Sequence, residues 1–106
     1  MNNLEYHIEN PSKSILCNIR LKGDLTSTDA IELKSRLCDN VDEFARITNV
    51  DLSEVKDIDL TGLNSLLISK LTFSQVGKCL RIEVPESGPL NEFARLTKFE
   101  KFLNIG

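Results

Sequence analysis

Apolar and polar residues alternate in two segments near the start of the chain. Apolar residues occupy every second position over residues 4–8, and again over residues 15–21. A period of two over these lengths is typical of half-buried β-strands. The residues between the two segments, NPSK at 10–13, have the composition of a turn. The pattern therefore predicts an antiparallel hairpin with a short loop.

A helical pattern follows. Gly23 and Asp24 interrupt the second strand, and the oxygen of Ser27, Thr28 or Asp29 could then cap a helix. Five apolar residues recur beyond this point at the spacing of one helix face: Ala30, Leu33, Leu37, Cys38 and Val41. A helix with one apolar face is expected to pack on a sheet.

The second half of the chain repeats the alternation of strand and helix. Residues 47–52 and 80–84 are predicted strands, and a helix that opens at residues 59–62 lies between them. Its predicted core face consists of Leu63, Leu66, Leu67 and Leu71, and Gly77 suits the left-handed position after its end. A last helix is predicted around residues 90–97, followed by a tail whose aromatic residues should pack onto the body.

The predicted order of elements is ββαβαβα. Single helices between strands imply right-handed crossovers and parallel pairing, to which the hairpin adds an antiparallel edge strand. A chain of 106 residues is expected to form one domain. We therefore predict one layered α/β domain over residues 1–106, with a mixed sheet of about four strands.

The composition of the chain argues against two classes of partner. The net charge of -3 gives no basis for binding nucleic acid or an anionic membrane. The N-terminal residues do not resemble a signal peptide, and no apolar run approaches the length that spans a bilayer. Three cysteines, an odd number without a CxxC pair, favour packed thiols in a reducing cytosol. We expect a cytoplasmic protein, and the weak negative charge does not identify its partner.

Catalytic chemistry has little support. The single histidine, His7, lies on a predicted edge strand between Glu5 and Glu9, where it is expected to be solvated. The chain has no clustered metal ligands with suitable spacing and no glycine-rich phosphate loop. Asp57 and Asp59 are more simply solvated loop carboxylates than a glycosidase pair. We expect a binding protein without a cofactor rather than an enzyme.

One segment differs from the purely structural parts of the chain, because polar residues cluster in it where a predicted strand meets a predicted helix. It spans residues 50–67, VDLSEVKDIDLTGLNSLL. Functional surfaces of open parallel sheets form outside the carboxyl ends of the strands. Asp24, Thr26, Asp59 and Thr61 are therefore expected to form one polar rim there. The alternative is that Asp59 and Thr61 only cap the helix.

This segment resembles the signature of the STAS domains, the anti-sigma-factor antagonist family, in which a strand ending DLS is followed by D-S-[ST]-G-L. GDLT at 23–26 resembles the family's entry to its first helix, and the resemblance covers nearly the whole chain. It implies a bacterial switch protein that binds an anti-sigma kinase and is phosphorylated at the start of its second helix. A phosphate there adds about -1.5 to -2 charge, which a helix N-terminus tolerates and a fitted partner surface repels.

The chain departs from the family pattern at the phosphorylated position, which Leu60 occupies. Three interpretations remain open. The domain binds constitutively and uses Leu60 as an apolar contact; Thr61, or a nearby hydroxyl such as Ser53, is the phosphoacceptor instead; or the chain is a STAS subunit of another assembly, such as a lipid-transport ABC complex or a stressosome-like scaffold.

Leu60 is either tucked beneath the helix or exposed, and we expect exposure, because Ile58 better continues the inward pattern. The predicted partner-binding residues are Asp24, Thr26, Asp59, Leu60, Thr61, Gly62 and Asn64. For Asp59→Ala we expect lost binding with only a modest loss of stability. The oligomeric state has no signature in the sequence.

Overall fold

A four-stranded mixed sheet organises the chain. The computed structural model describes residues 4–12 and 15–85. Its elements in chain order are β1 (Leu4–Ser12), β2 (Leu16–Leu25), α1 (Ser27–Asp39), a 3-10 turn (Val41–Glu43), β3 (Ile47–Ile58), α2 (Leu60–Gln75) and β4 (Cys79–Glu83). The strands lie in the order β1-β2-β3-β4, with β1 antiparallel to β2 and the others parallel. The predicted fold class is confirmed, and the predicted last helix lies outside the described residues.

One face of the sheet carries the core. On β2, Cys17, Ile19 and Leu21 are buried, whereas Arg20 and Lys22 are exposed. The predicted face of α1 is confirmed: Ala30, Leu33 and Leu37 are fully buried, Val41 is buried just beyond the helix and Cys38 is half-buried. The cysteines are reduced thiols, buried at Cys17 and half-buried at Cys38 and Cys79, as expected.

The hairpin differs from its prediction in the extent of β1. That strand continues to Ser12, so the predicted turn at residues 10–13 lies mostly within it and its placement was wrong. The register with β2 shifts between Glu9 and Ser12. Because proline has no N–H to donate, Pro11 is tolerated in such an irregular stretch of an edge strand.

The third strand is much longer than the six residues predicted. It spans Ile47–Ile58, so residues 51–54 lie within the strand instead of ending it. Arg20 and Lys22 of β2 pair with Asp51 and Glu54, so β3 has one extra residue there, and a second shift follows beyond Gly23. Each extra residue reverses the inward and outward alternation. The strand was missed because these two irregularities disrupt its period of two.

The core face of α2 was predicted only in part. Leu63 and Leu66 are buried and Leu67 is half-buried, but Leu71 is 64% exposed. The core side of the helix instead includes the following small residues and one phenylalanine: Gly62, Ser65, Ser69 and Phe73. Small side chains let a helix approach its neighbours closely. The side of α2 that faces the core therefore includes these small residues and does not coincide with the row of leucines.

The end of α2 agrees with its prediction. Gly77 has a φ of +76°, the left-handed conformation that glycine adopts without a steric penalty. Its N–H donates to the Ser74 carbonyl at 3.0 Å, and the Lys78 N–H donates to the Phe73 carbonyl at 2.9 Å. This pair of bonds is a Schellman motif, which satisfies the last carbonyls of the helix. No helix within residues 4–12 and 15–85 is both long and apolar enough to span a membrane.

Candidate functional site

The carboxyl ends of β2 and β3 lie side by side, and both helices begin there. Leu25, the last residue of β2, is paired with Ile58, the last residue of β3. Ser27 starts α1 two residues after β2, and Leu60 starts α2 two residues after β3. Parallel pairing therefore brings the two helix N-termini to the same edge of the sheet, where the sequence predicted a polar rim.

Asp59 connects these two helices. Its Oδ1 accepts a hydrogen bond from the Gly62 N–H at 2.8 Å, which caps α2. Its Oδ2 accepts one from the Ser27 N–H at 3.1 Å, at the start of α1 and 32 residues away in the chain. A carboxylate also offsets the positive end of a helix dipole, here at two helices at once. Asp59 is thus the N-cap of one helix and an anchor for the other.

The N-terminus of α1 has no cap of its own. The N-cap residue is Thr26, whose side chain forms no capping hydrogen bond, so the predicted caps at Ser27, Thr28 and Asp29 were wrong. Ser27 has a φ of +47°, an unusual conformation for a residue with a Cβ. The Asp59 carboxylate makes a local cap unnecessary, because it supplies the acceptor from the other helix. No local signal around Ser27 indicates this distant contact.

Gly62 allows α2 to start close to the sheet. A Cβ at this position would overlap the Leu25 carbonyl oxygen and would lie 2.8 Å from Cγ1 of Ile58. Real Cβ atoms essentially never approach so closely, and the nearer atom belongs to the backbone. Gly62 is itself buried. Its observed role is therefore to permit the close approach that places Asp59 between the two helices.

Leu60, Thr61 and Asn64 form the outer side of this first turn. Leu60 is 71% exposed, and the buried side chain in this stretch is Ile58, so both predictions are confirmed. Thr61 is half-buried. Asn64 is exposed and stands four residues after Leu60, which places both on one face of the helix. We call Asp24, Thr26, Leu60, Thr61 and Asn64 the junction surface.

The surroundings of the junction surface are acidic. Asp24, half-buried near the end of β2, is paired directly with Asp57 of β3. The Asp57 carboxylate accepts a hydrogen bond from the Ile58 N–H at 2.9 Å, and Asp59 follows two residues later. Three carboxylates, of Asp24, Asp57 and Asp59, therefore lie at the carboxyl ends of β2 and β3, and that of Asp59 is engaged by the two helix N-termini.

Groups with catalytic potential lie elsewhere. His7 is on the exposed edge strand β1, 3.3 Å from the Glu9 carboxylate, as expected for a solvated histidine. Ser53 lies within β3, at its first irregularity, and its N–H donates to the Asp51 carboxylate at 2.8 Å. Among the described residues, no group of three or more histidine, cysteine or acidic side chains is placed to hold a metal ion.

Solved structures with this architecture include anti-sigma factor antagonists. An unphosphorylated SpoIIAA matches 92% of this chain and 84% of its own, with a TM-score of 0.75 at 12% identity. A Mycobacterium paratuberculosis antagonist matches 95% and 83%, with a TM-score of 0.73 at 17% identity. A STAS domain from Rhodobacter sphaeroides matches 74% and 84%, with a TM-score of 0.61 at 17% identity. The chain has the STAS fold.

That fold agrees with the one the sequence motif implied. No protein-family model matches the chain, and no curated protein is similar to it in sequence. At these identities the shared STAS fold rests on backbone architecture alone. The features that set this chain's function must therefore be read from its own residues, beginning with the junction surface.

Proposed function

We propose that the chain is a non-catalytic protein-interaction module that binds a signalling partner through the junction surface. The observation that carries the proposal is the exposure of Leu60, which is 71% exposed at the first position of α2, directly after the N-cap Asp59. An exposed leucine within a polar rim suits a partner pocket, since burying it removes apolar surface from water. Asp59 and Gly62 position this surface, because they fix where α2 begins.

The side chains of the junction surface indicate what kind of partner surface would bind them. Leu60 needs an apolar pocket, and the carboxylates of Asp24, Asp57 and Asp59 favour a basic rim around that pocket. An anti-sigma kinase is the partner class we propose, because solved proteins with the same fold include antagonists of anti-sigma factors. Binding is proposed to be constitutive at Leu60, whose side chain has no hydroxyl to phosphorylate.

A photo-crosslinking experiment tests this assignment. A benzophenone amino acid placed at position 60 should capture the partner in cells that express the protein, and mass spectrometry would identify it. The matched control is position 71 of the same helix, where the native leucine is similarly exposed, at 64%. We expect an adduct with an ATP-binding anti-sigma kinase at position 60 only. Equal capture at both positions, or none at position 60, would contradict the proposal.

The alternative to constitutive binding is a switched interaction, for which Thr61 is the phosphoacceptor we propose. It is the second residue of α2 and belongs to the junction surface, whereas Ser53 lies inside β3. A phosphate at the start of a helix is tolerated by the helix dipole but adds charge to an already acidic surface. It would therefore weaken binding to any surface fitted around Leu60.

Intact-mass measurement decides whether that switch exists. Wild-type protein, Thr61→Val and Thr26→Val are each incubated with the captured kinase and ATP. The switch predicts the mass of one phosphate on wild type and Thr26→Val but not on Thr61→Val. An unmodified wild-type protein would leave binding at Leu60 intact as a proposal and would eliminate the switch.

A further inference from the structure

Within residues 4–12 and 15–85, the helix layer leaves one end of the hairpin uncovered on the core side of the sheet. Leu4, Tyr6 and Ile8 occupy alternate positions of β1, and their exposure increases from buried through half-buried to 48%. Ile8 is paired with the buried Ile19 of β2, so its side chain lies on the core face of the sheet. An apolar residue on the core face is therefore open to solvent at this end of the molecule.

A cavity of about 430 Å³ lies at this place, between the hairpin and the C-terminal half of α1. The sheet contributes Cys17 and Ile19, the helix contributes Leu33 and Leu37, and Phe44 lines another part. Small-molecule sites typically have volumes of about 300–1,000 Å³ and mostly apolar walls with a few polar groups. The size and lining therefore suit a small ligand better than trapped water.

Arg36 supplies a cation at the wall of this cavity. Its guanidinium carbon lies 4.9 Å from the centre of the Tyr6 ring, a cation–π contact that bridges α1 and β1. Its ion pair with Glu32 is long, at 3.9 Å, and both side chains are largely exposed. A guanidinium has five N–H donors, so the group retains capacity to bind an anion.

Tyr6 and Cys17, on the sheet side of the cavity, are half-buried and buried, respectively. Burial is the main cause that raises the pKa of the Tyr6 phenol, against the opposing effect of Arg36. Burial also raises the pKa of the Cys17 thiol, which keeps it neutral. The acidic group that lines the cavity is Glu43, in the 3-10 turn after α1. An anionic head is attracted to Arg36, where it competes with Glu32 for the guanidinium, and is repelled by Glu43.

We propose that this cavity binds a small amphiphilic monocarboxylate, with its carboxylate at Arg36 and its apolar body against Tyr6, Ile8 and Phe44. The cavity lies beside the C-terminal half of α1, whereas the junction surface lies at the N-terminus of that helix. Residues 27 and 36 are about 14 Å apart along the helix axis at about 1.5 Å per residue. The two sites can therefore be tested separately.

Decanoate, used below its micelle concentration, is the probe for this site. Amide shifts in a ¹⁵N NMR titration of the full chain should saturate and should concentrate at Tyr6, Ile8, Arg36 and Phe44. The uncharged analogue decan-1-ol should bind at least about tenfold more weakly, because it lacks the charge that Arg36 recognises. Absence of saturation, or equal binding of the alcohol, would contradict the proposal.

Two matched pairs of variants locate the binding. Arg36→Gln should weaken decanoate binding by about tenfold or more, whereas Arg81→Gln, at an exposed arginine of β4, should leave it nearly unchanged. Ile8→Asp places a negative charge at the cavity. Ile31→Asp places the same charge at an isoleucine that is equally exposed, at 48%, but does not line the cavity. Only the first should abolish binding. Equal effects within either pair would overturn the assignment, and urea unfolding would verify that each variant is folded.

Discussion

The two helices begin side by side at the same edge of the sheet, but their N-termini are held differently. Helix α2 has a carboxylate cap in its own chain segment, Asp59, bonded to Gly62 at 2.8 Å. Helix α1 has no side-chain cap, and its first residue, Ser27, bonds to the second oxygen of the same carboxylate at 3.1 Å.

This difference assigns separate roles to two adjacent residues. Asp59 stabilises both helices, so it is a structural residue whatever else it contacts. Leu60, next in the chain, is largely exposed, and removing its side chain would uncover little of the core. We therefore propose that Leu60 and its exposed neighbours, rather than Asp59, are the main partner contacts. The expectation that Asp59→Ala alters stability only modestly must be revised.

Asp59→Ala should give the largest loss of stability. It removes one N-cap, for which substitution by alanine costs about 0.5–2 kcal/mol, and a second charged hydrogen bond contributing about 1.5–3 kcal/mol. We expect the free energy of unfolding, measured in urea, to fall by about 2–4 kcal/mol. Asp59→Asn is the matched control, since one amide oxygen can still cap α2, and it should lose about half as much. A loss below about 1 kcal/mol for alanine would mean that the second bond contributes nothing.

Gly62→Ala should come next. Alanine is favoured over glycine within a helix by about 1 kcal/mol, but here its Cβ would overlap the Leu25 carbonyl. Because a backbone atom cannot move aside easily, we expect a net loss of about 1–3 kcal/mol in urea unfolding. Gly77→Ala is the comparison: it meets no atom within 4 Å but has a φ of +76°, so about 1 kcal/mol should be lost through the backbone alone. A more stable Gly62→Ala protein would show that α2 can shift.

Ser27→Gly tests the strain at the other N-terminus. Its φ of +47° is disfavoured for serine by about 1–2 kcal/mol but is readily adopted by glycine. Part of this gain is offset by the greater freedom of glycine in the unfolded chain. We expect a small increase in the unfolding free energy, of up to about 1 kcal/mol, if Ser27 keeps its bond to Asp59. A clear decrease would argue that the serine hydroxyl has a stabilising role.

Leu60→Asp should have the smallest effect on stability. The side chain is largely exposed, and an acidic residue at the start of a helix interacts favourably with its dipole, while nearby carboxylates oppose the new charge. We expect the unfolding free energy to change by no more than about 0.5 kcal/mol. A loss near that of Asp59→Ala would mean that Leu60 is part of the core and that the two roles are not separate.

Regular elements could be predicted from the sequence where a single local rule determines them. The face of α1 follows helical spacing, and Gly77 follows the conformation required after a helix. The bounds of β3 could not be predicted, because two extra residues change which side chains face inward between Leu52 and Ile58. The order of apolar and polar residues in such a stretch predicts a loop, although its backbone stays in the sheet.

The position of the candidate site could be predicted from the sequence, but the long-range hydrogen bond within it could not. The motif and the topology placed Asp59 and Leu60 at the carboxyl edge of the sheet, and the exposure of Leu60 followed from the inward position of Ile58. The bond from Asp59 to Ser27 crosses 32 residues and depends on how the two helices pack. No local pattern encodes such a contact. The same limit applies to Leu71, whose exposure depends on the small residues that turn α2 toward the core.

The most direct test of this division of roles is the affinity of the partner captured at position 60. Calorimetric titration of that partner into wild type, Leu60→Asp and Leu71→Asp compares two exposed leucines of one helix. We predict that Leu60→Asp weakens binding by about tenfold or more, while Leu71→Asp stays within about twofold of wild type. Wild-type affinity in a folded Leu60→Asp protein would contradict the central claim that this leucine is the partner contact.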